Sequence, residues 1–381
     1  MNLRRFSLFL VLLVAAMACS LPSRATLSPT QAISSPSASI LPHDLYFLSG
    51  SSGITQVWRL DAATLASTQL TAEDADITGF DVSPLDGSLA FVVHNQLVWV
   101  DSLGANRRVL VDGGPVDETS AAYQFHRKIA KPRWSPNGAV LAYARDGLSL
   151  YQFNTGLIAN VLSNEVKTLS GGDLLPTRLY FPESWSPDGS RLLVSIGYYE
   201  GGSLGVLDPV TQNLVQFQGA VVCCQPAWTP DGAAVLVASP FINEYVDSGL
   251  WRYDAATGAA AVLIPNTSPD ATLNFVSWPL QTPAGQLRYF FANTAAFPQE
   301  ALPFSLVSAS LDGLSGQTQL RSDAMLLTEA LWSPDGSRVV IVQPPLGASA
   351  VPNGGAVILV YTDSRPDQPL APNGHDLRWG R

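Results

Sequence analysis

Two short phrases of the chain repeat an unusual order of polar and apolar residues. WSPDGSRLLVS runs from Trp185 to Ser195, and WSPDGSRVVIV runs from Trp332 to Val342. Ser-Pro-Asp-Gly is typical of a tight turn, because proline presets the first central backbone angle and glycine accepts the positive φ that follows. The apolar run after each turn is nearly continuous, which is typical of a strand covered on both faces. Each phrase therefore predicts a hairpin with a buried second strand.

Weaker copies of the phrase recur along the chain. Aligned on the residue before the turn, the copies lie at Val82, Trp134, Trp185, Trp228, Trp278 and Trp332. Intervals of roughly 50 residues are typical of an array of supersecondary units. After most copies comes another strand that ends in Asp or Asn, such as LVWVD at Asp101 and LWRYD at Asp254, and then a short edge strand. Four antiparallel strands per repeat predict the blade of a β-propeller.

The two ends of the repeat region complement each other. Residues 45–71 provide a second, third and fourth strand, whereas HDLRWGR at 375–381 provides a first strand that ends at Trp379. Together they make one more blade, which closes the ring and hides the faces of the sheets. The sequence therefore predicts an all-β fold over residues 43–381. This fold is a seven-bladed β-propeller with four antiparallel strands per blade, its first blade completed by the C-terminal strand.

The repeated turn carries a family resemblance. W-S-P-D-G followed by an apolar strand resembles the signature of the TolB-type, WD-like PD-repeat propellers. The likeness covers residues 43–381 and is strongest at Trp134, Trp185, Trp228 and Trp332. TolB-type proteins usually have six such blades and a separate N-terminal domain, and this chain departs from them on both points. The resemblance implies the fold and leaves the chemistry open, because unrelated functions share propellers.

The N-terminal segment predicts export and anchoring. Residues 1–19, MNLRRFSLFLVLLVAAMAC, have a basic start, an apolar core and then small residues, which is typical of a signal peptide. Ala16-Met17-Ala18-Cys19 resembles the bacterial lipobox, which implies a lipoprotein with a lipid such as palmitate on Cys19. The alternative is a plain secretory signal. Residues 20–42 are rich in Ser, Thr and Pro and predict a disordered tether. We expect an extracytoplasmic location in the cell envelope, at a membrane.

Composition narrows the classes of partner. The net charge is -10 with a pI near 4.8, which argues against nucleic acid, since phosphate backbones are bound by clustered Lys and Arg. The Ser-Pro-Asp-Gly turns share one rim of the predicted ring. The long segments share the opposite rim: 113–131, 170–182, 239–248, 291–304 and 343–355. Long loops on a rigid scaffold usually bind. We expect a monomer that binds a protein, peptide or glycan there, although insertions without a partner are the alternative.

Several residues of that face are candidates for binding. His126, Arg127 and Lys128, with Lys131 and Arg133 further along, form a basic cluster suited to an anionic group, unless they are a solvated loop. Tyr245 lies in another long segment. Cys223 and Cys224 are adjacent, and paired thiols outside the cytoplasm oxidise, so they are a disulfide candidate. They are interpreted either as a rigid ligand platform or as a structural clip or two buried thiols.

Enzyme signatures are weak. GGSLG at 201–205 fits G-x-S-x-G but lies between strands with no helix after it, so it is interpreted as a hairpin loop. The four histidines lie far apart, with no metal-ligand spacing, and no cofactor motif is recognised. The alternative to a non-catalytic scaffold or receptor is a hydrolase or lyase in the central channel. Such an enzyme would use convergent groups such as Arg133, Glu183 and Asp376.

Overall fold

The computed structural model describes residues 39–50, 53–198, 201–218, 226–239, 249–296, 302–345, 354–363 and 365–381. Within these ranges the regular secondary structure consists almost wholly of antiparallel strands, which confirms the predicted all-β class. The described part contains no helix of the length and hydrophobicity that crossing a membrane requires.

The described strands pair into six sheets. One sheet holds β4 (Gly79–Val82), β5 (Leu89–Val93), β6 (Gln96–Val100) and β7 (Arg108–Asp112). The next holds β8 (Ala130–Trp134), β9 (Val140–Ala144), β10 (Gly147–Gln152) and β11 (Ile158–Ser163). Two further sheets of four hold β17 (Ala227–Trp228), β18 (Ala234–Ser239), β19 (Gly249–Asp254) and β20 (Ala260–Ile264), and β21 (Leu273–Gln281), β22 (Leu287–Thr294), β23 (Phe304–Ala309) and β24 (Thr318–Met325).

Two sheets are larger. A five-stranded sheet holds β12 (Glu165–Thr168), β13 (Leu174–Trp185), β14 (Leu192–Tyr198), β15 (Gly201–Asp208) and β16 (Asn213–Gln216). A seven-stranded sheet holds, in spatial order, β25 (Glu329–Trp332), β26 (Arg338–Gln343), β27 (Gly355–Tyr361), β28 (Gln368–Trp379), β1 (Leu45–Ser49), β2 (Gln56–Leu60) and β3 (Ser67–Gln69). The only α- or π-helical element that the structure describes with bounds is a π-helical turn at Tyr123–Arg127.

The C-terminal strand joins the two ends of the repeat region. The first half of β28 pairs with β27, with Gln368 opposite Leu359, and its second half pairs with β1, with Trp379 opposite Leu45. This confirms the predicted pairing of the C-terminal segment with the strand that begins at Leu45. The single strand β28 thereby serves the last sheet and the first.

The Ser-Pro-Asp-Gly segments fold into the predicted hairpin turns. In the turn after Trp185, the N–H of Gly189 donates to the carbonyl of Ser186 at 2.8 Å, and Gly189 has a φ of 72°. The Asp188 carboxylate accepts from the Ser186 hydroxyl at 2.6 Å and from the Ser190 N–H at 3.0 Å. The side chain of the turn therefore satisfies its own backbone, which explains why Asp follows Pro.

Successive turns also pack on each other along one rim. A Cβ atom added to Gly336 would lie 2.9 Å from Thr282 in the preceding sheet, and one added to Gly138 would lie 2.8 Å from Leu85. Glycine is thus required at these positions for two reasons: the backbone has a positive φ, and the neighbouring turn approaches too closely for a side chain. We call the surface formed by these turns, together with the turns between third and fourth strands, the turn rim.

Tryptophans at the ends of the first strands link neighbouring sheets. The indole N–H of Trp379 donates to the carbonyl of Trp332 at 2.7 Å, and that of Trp332 donates to the carbonyl of Trp278 at 2.8 Å. Trp185 reaches the carbonyl of Arg133 at 3.1 Å in the same way. The repeated tryptophan is therefore a bridge between sheets as well as a core residue.

The hydrophobic core lies between adjacent sheets. Every residue of β5 is buried, and Ala90 and Val92 of that strand pack in one cluster with Trp134, Leu141 and Tyr143 of the next sheet. A strand that contacts a neighbouring sheet on each face needs apolar residues at every position, which is the continuous pattern seen in the sequence.

Two segments differ from the expectations. The sequence analysis interpreted 170–182 as a loop, whereas residues 165–178 form a hairpin of β12 and the first part of β13, with Lys167 opposite Leu175. Ordered contacts also begin at Ser39, within the segment assigned to the tether. There Leu41 is fully buried among Leu45, Leu60 and Val340, and its N–H donates to the carbonyl of Ala62 at 3.0 Å.

Leu41 makes the first prediction. Leu41→Ala removes a fully buried side chain from the contact between the first and last strands, so we expect a loss of about 2–5 kcal/mol in the free energy of unfolding. Val210→Ala is the control, since Val210 is 89% exposed and its substitution should change that free energy by under about 0.5 kcal/mol. Urea unfolding of both variants measures this, and equal midpoints would show that Leu41 does not belong to the folded unit.

A second prediction concerns the turns. Partial burial pushes the pKa of Asp335 upward, but hydrogen bonds from Ser333 and Ser337 outweigh it and lower the pKa to about 2. A folded-state pKa below that of an unfolded Asp stabilises the protein at higher pH, and this contribution is lost as the pH falls from about 4 toward 2.

Asp335→Asn should therefore unfold at lower urea than the parent chain at pH 6, with a gap that shrinks to about half by pH 3. The exposed Asp173 on the hairpin provides the control, because Asp173→Asn should leave the urea midpoint nearly unchanged at both pH values. A gap for Asp335→Asn that stays constant with pH would refute this role of the carboxylate.

Candidate functional site

Charged side chains from five first strands meet at the inner edges of the sheets. The strands β28, β4, β8 and β13 contact one another in that order, and β25 contacts β28. We call this group the central cluster; its members are Asp81, Lys131, Arg133, Glu183, Glu329, Asp376 and Arg378. Four carboxylates and three cations are thus gathered from segments far apart in sequence.

Two of these strands share a local motif. KPRW at 131–134 and DLRW at 376–379 each place a charged residue three positions before the tryptophan and an arginine directly before it. Lys131 and Asp376 have φ angles of 50° and 53°, and the strand register shifts at both places. β-Bulges re-aim a side chain, and non-glycine residues with positive φ are uncommon. The two bulges therefore direct Lys131 and Asp376 away from the regular alternation of their strands.

Asp81 lies between the two arginines of this motif. Its Oδ1 is 3.6 Å from Nε of Arg378, and its Oδ2 accepts the backbone N–H of Trp134 at 2.6 Å. Arg378 in turn donates through its terminal nitrogen to Asp376 at 2.6 Å. Because β4 lies between β28 and β8, Asp81 ties three sheets together at their inner edge.

The remaining members also have partners within the protein. Lys131 Nζ is 2.5 Å from Glu183 Oε1, and Arg133 Nε donates to the carbonyl of Glu183 at 2.7 Å. The Glu329 carboxylate accepts the backbone N–H groups of Asp376 and Leu377 at 2.7 and 2.6 Å. Glu329 thereby satisfies the backbone of the bulge in β28.

The electrostatics of the cluster follow from its depth. Burial raises the pKa of Asp81 and of Glu329 above the usual carboxyl values, although neighbouring arginines oppose the rise. Burial, together with the charge of Arg378, lowers the pKa of Arg133. Burial also acts to lower the pKa of Arg378, but the carboxylates of Asp376 and Asp81 outweigh it and the net shift is upward. Arg378 is the cation that the cluster stabilises most clearly.

Solvent still reaches these deep groups. The side chains of Lys131 and Glu183 keep 41% and 21% of their surface exposed, and those of Arg378 and Asp81 keep 23% and 14%. These charged groups lie at the inner edges of several sheets and remain accessible to solvent. A polar ligand that reached them would meet charges of both signs.

The other part of the site is the surface opposite the turn rim. We call it the loop-bearing face and define it by residues 113–129 and the hairpin 165–178. Asn95 anchors the first segment: its amide donates to the carbonyls of Gly114 and Arg127 at 3.2 Å each, and its oxygen accepts the N–H of Ile129 at 2.8 Å. Asn164 anchors the hairpin to that segment by donating to the carbonyl of Phe125 at 2.6 Å. The two parts therefore form one continuous surface.

Three residues of the predicted basic cluster lie on this face, and each has a partner within the protein. His126 Nδ1 is 2.6 Å from the Asp146 carboxylate, and Lys128 Nζ is 3.2 Å from Glu118. Arg127 places its guanidinium 5.8 Å from the ring centre of Tyr123. Lys131 and Arg133, predicted with them, belong instead to the central cluster. The structure thus divides the five predicted basic residues between two places.

Four further predicted residues lie outside the described ranges. They are Cys19, Cys223, Cys224 and Tyr245. Lipid attachment, the disulfide candidate and the contribution of Tyr245 to binding therefore stay predictions.

Three members of the central cluster were missed as site residues in the sequence analysis. Asp81 and Arg378 are aligned with Arg133, one place before the end of a first strand, and Glu329 is aligned with Lys131, three places before it. The second Arg-Trp pair at Arg378-Trp379 was the available signal, because it repeats Arg133-Trp134.

Within the described ranges, no three side chains of His, Cys, Asp or Glu are grouped so that they could hold a metal ion. The described histidine pairs are isolated contacts with single carboxylates, such as His94 with Asp74 at 2.6 Å.

Comparison with known proteins identifies the fold. The chain is similar to a structure of oligogalacturonate lyase in complex with manganese, at 13% identity and a TM-score of 0.55, with 88% of this chain and 87% of that chain covered. It is also similar to a structure of prolyl endopeptidases at 13% identity and a TM-score of 0.54, but it covers only 50% of that chain. TolB from Acinetobacter baumannii is matched at 16% identity and a TM-score of 0.45, over 86% and 79% of the two chains.

These structures are propellers, and the likeness to them concerns the fold alone. The resemblance to TolB-type propellers, predicted from the repeated turn, is found at this level. No protein-family model matches the chain. No curated protein matches it either.

The central cluster makes a third prediction. Arg378→Met leaves the carboxylates of Asp81, Asp376 and Glu329 without their shared cation, so we expect a loss of about 1–3 kcal/mol in the free energy of unfolding at pH 7. Raised carboxyl pKa values favour the folded state at low pH, and this benefit is lost as the pH rises through them. The deficit of the variant should therefore be larger at pH 7 than at pH 5.

Chemical unfolding at the two pH values measures the effect. Arg365→Met is the matched control, since Arg365 forms an exposed pair with Asp363 at 2.9 Å and its substitution should lower the free energy of unfolding much less than Arg378→Met at either pH. If both variants behaved alike, the cluster would be no more than a set of surface charges.

Proposed function

We propose that the protein is a non-catalytic binding scaffold or receptor of the cell envelope. It is a seven-bladed propeller, held to a membrane by lipid on Cys19, that binds a protein, peptide or glycan through its loop-bearing face. The observation that carries this proposal is the anchoring of the π-helical turn and the hairpin to each other by Asn164. A protruding surface that is fixed by its own hydrogen bonds is suited to recognition, because less entropy is lost on binding.

The sheet order supports seven blades. Sheets of four account for β4–β7, β8–β11, β13–β16, β17–β20 and β21–β24. The seven-stranded sheet accounts for two more when β28 is divided where it changes partner from β27 to β1. First strands contact each other from β4 to β8 and β13, and from β17 to β21, β25, β28 and back to β4. Trp228 closes the remaining step by donating to the carbonyl of Ser184 at 3.4 Å.

The carboxylates of the central cluster already have partners within the protein, which favours a binding function over catalysis. Glu183 is paired with Lys131, Asp376 with Arg378, and Glu329 with two backbone N–H groups. General acid or base catalysis requires a group that is free to exchange a proton with a substrate. The described carboxylates of the cluster are engaged in holding the inner strands together.

The hairpin indicates the kind of partner. The side chain of Leu169 is exposed and those of Val166 and Leu175 are half-buried, while Lys167 and Asp173 lie exposed among them. β12 is the edge strand of its sheet, so one side of its backbone is available for pairing. Alternating apolar and charged side chains on an open edge suit an extended peptide or protein segment.

The alternative function is a hydrolase or lyase whose site is the central channel. One observation favours it: Glu183 and Lys131 are charged, accessible to solvent and close to Arg133. Turnover assays over broad glycoside, lactone and peptide panels would detect such an activity, and Glu183→Gln should then abolish it.

Site-specific photo-crosslinking tests the binding proposal. The full chain is expressed in its envelope with a benzophenone amino acid replacing Lys167 on the hairpin or Leu103 on the turn rim. A discrete protein or glycan adduct should form from position 167 and be absent from position 103. If neither position formed an adduct and the protein showed turnover that depends on Glu183, the receptor proposal would be refuted and the enzyme alternative supported.

The lipid anchor is tested separately. Mass spectrometry of the purified chain should find an acylated Cys19 as the new N-terminus, and Cys19→Ser should move the protein from the membrane fraction to the soluble fraction. An unmodified Cys19, or a Cys19→Ser chain that stays with membranes, would remove the anchor from the proposal while leaving the binding face untouched.

A further inference from the structure

The first described residues fix where the N-terminal segment meets the fold. Ser39 Oγ donates to the carbonyl of Ala62 at 2.9 Å, and Arg338 donates to the carbonyl of Ile40 at 2.5 Å. Ala62 lies in the turn between β2 and β3, and Arg338 directly follows the turn after Trp332. Both belong to the turn rim. The segment that carries Cys19 therefore joins the protein on the turn rim, opposite the loop-bearing face.

The linker between Cys19 and the first described residue is short. Residues 20–38 separate Cys19 from Ser39. Their composition predicts a flexible linker, for which an average span on the order of 25 Å is expected. An acyl group on Cys19 would thus hold the turn rim nearer to the membrane than the loop-bearing face.

Among the residues that the structure describes, most of the exposed aliphatic side chains lie on the same rim. The described chain has eleven large hydrophobic residues with high exposure. Six lie in turns of the turn rim: Leu85, Leu103, Leu157, Val210, Leu311 and Leu314. Only Val116 and Leu169 lie on the loop-bearing face. Among these tips Val210 is 89% and Leu103 is 76% exposed, so each points fully into solvent in the isolated protein.

The charge of the rim selects the kind of lipid. The turns after the third strands carry aspartates whose carboxylates are hydrogen-bonded by their own turn, as Asp61 accepts from the Thr64 N–H at 2.8 Å and Asp254 from the Thr257 N–H at 2.8 Å. The pKa of Asp61 and of Asp254 is lowered chiefly by these threonine contacts, so both stay ionised at neutral pH. Negative charge next to aliphatic tips disfavours anionic lipid and leaves zwitterionic headgroups as the compatible surface.

We propose that the turn rim is a lipid-docking surface. Its aliphatic tips enter the headgroup layer of a zwitterionic bilayer, and the loop-bearing face is thereby presented away from the membrane to its partner. A single exposed apolar residue binds a bilayer weakly. A tether raises the effective concentration of the rim at the bilayer, so several weakly binding residues can act together. The docking proposal rests on the proposed anchor at Cys19, because the anchor supplies that tethering.

Fluorescence quenching by lipid tests the orientation. The full chain is placed on phosphatidylcholine vesicles with a dansyl amino acid replacing Leu103, Val210 or Lys167, and the bilayer contains brominated phosphatidylcholine. Quenching is expected at positions 103 and 210 and at most weakly at position 167. Equal quenching at the three positions, or quenching at 167 alone, would overturn the docking.

A tethered variant separates this inference from the anchor itself. Cys19→Ser with a histidine tag at its N-terminus is held on nickel-chelating lipid in the same vesicles. If native Cys19 is not acylated but the tethered chain is quenched at 103 and 210, the docking proposal is supported and the lipid anchor is refuted. If Cys19 is acylated and neither form is quenched, the docking proposal is refuted and the lipid anchor is supported.

Substitution of the tips gives an independent measurement. Leu103→Gln, Val210→Gln and Leu314→Gln are combined in the Cys19→Ser chain that is tethered on nickel-chelating lipid, with a dansyl amino acid replacing Leu157 on the turn rim. The three substitutions should reduce the quenching at position 157 several-fold. All three positions are exposed, so the fold should be retained, as thermal unfolding would verify. Leu169→Gln on the hairpin is the control and should leave this quenching unchanged. Stronger quenching when phosphatidylserine is added to the vesicles would contradict the charge argument.

Discussion

The pairing of β28 with β1 is the contact on which the rest of the structure depends. Trp379 lies opposite Leu45, and the indole N–H of Trp379 also donates to Trp332 in the last repeat. Without this pairing β1 would have an open edge, and Leu41 would lose the buried site that it shares with Val340. Closure also costs conformational entropy, because it joins segments more than 300 residues apart in sequence. Many contacts must form together to offset that cost.

The contact of Arg378 with the rest of the central cluster depends on this closure. The strand β4, which carries Asp81, lies beside β28 in the fold, although the two strands are far apart in sequence. The contact of Asp81 with Arg378 therefore joins the two ends of the repeat region. Local sequence patterns predicted the hairpins, the repeat and Arg133, since a turn or an alternation is decided by a few neighbouring residues. They did not predict the contact of Asp81 with Arg378, because no local signal says which strands become neighbours. The hairpin at 165–178 was not predicted for another reason: Ser-Gly-Gly-Asp at 170–173 is as compatible with an irregular loop as with a hairpin turn.

Similarity of fold does not decide between receptor and enzyme. At 13% identity, a lyase and prolyl endopeptidases share the arrangement of sheets with this chain. What the sheets share is a rigid ring of buried second and third strands, whereas chemistry depends on individual side chains at its inner edge and rims. In this chain those inner side chains satisfy each other and the bulged backbone, which explains how accessible charges are compatible with a stable core.

The charges are also distributed unevenly around the ring. β17 (Ala227–Trp228) and β21 (Leu273–Gln281) carry no charged residue, whereas β28, β4, β8 and β13 carry six of the seven members of the cluster. The π-helical turn leads into β8, and the hairpin is the continuation of β13. Lys131 and Glu183 therefore lie on the same strands as the two protruding elements of the loop-bearing face. A partner bound along the hairpin would reach Glu183 by following a single strand inward, so one side of the ring combines the proposed binding face with the charged inner edge.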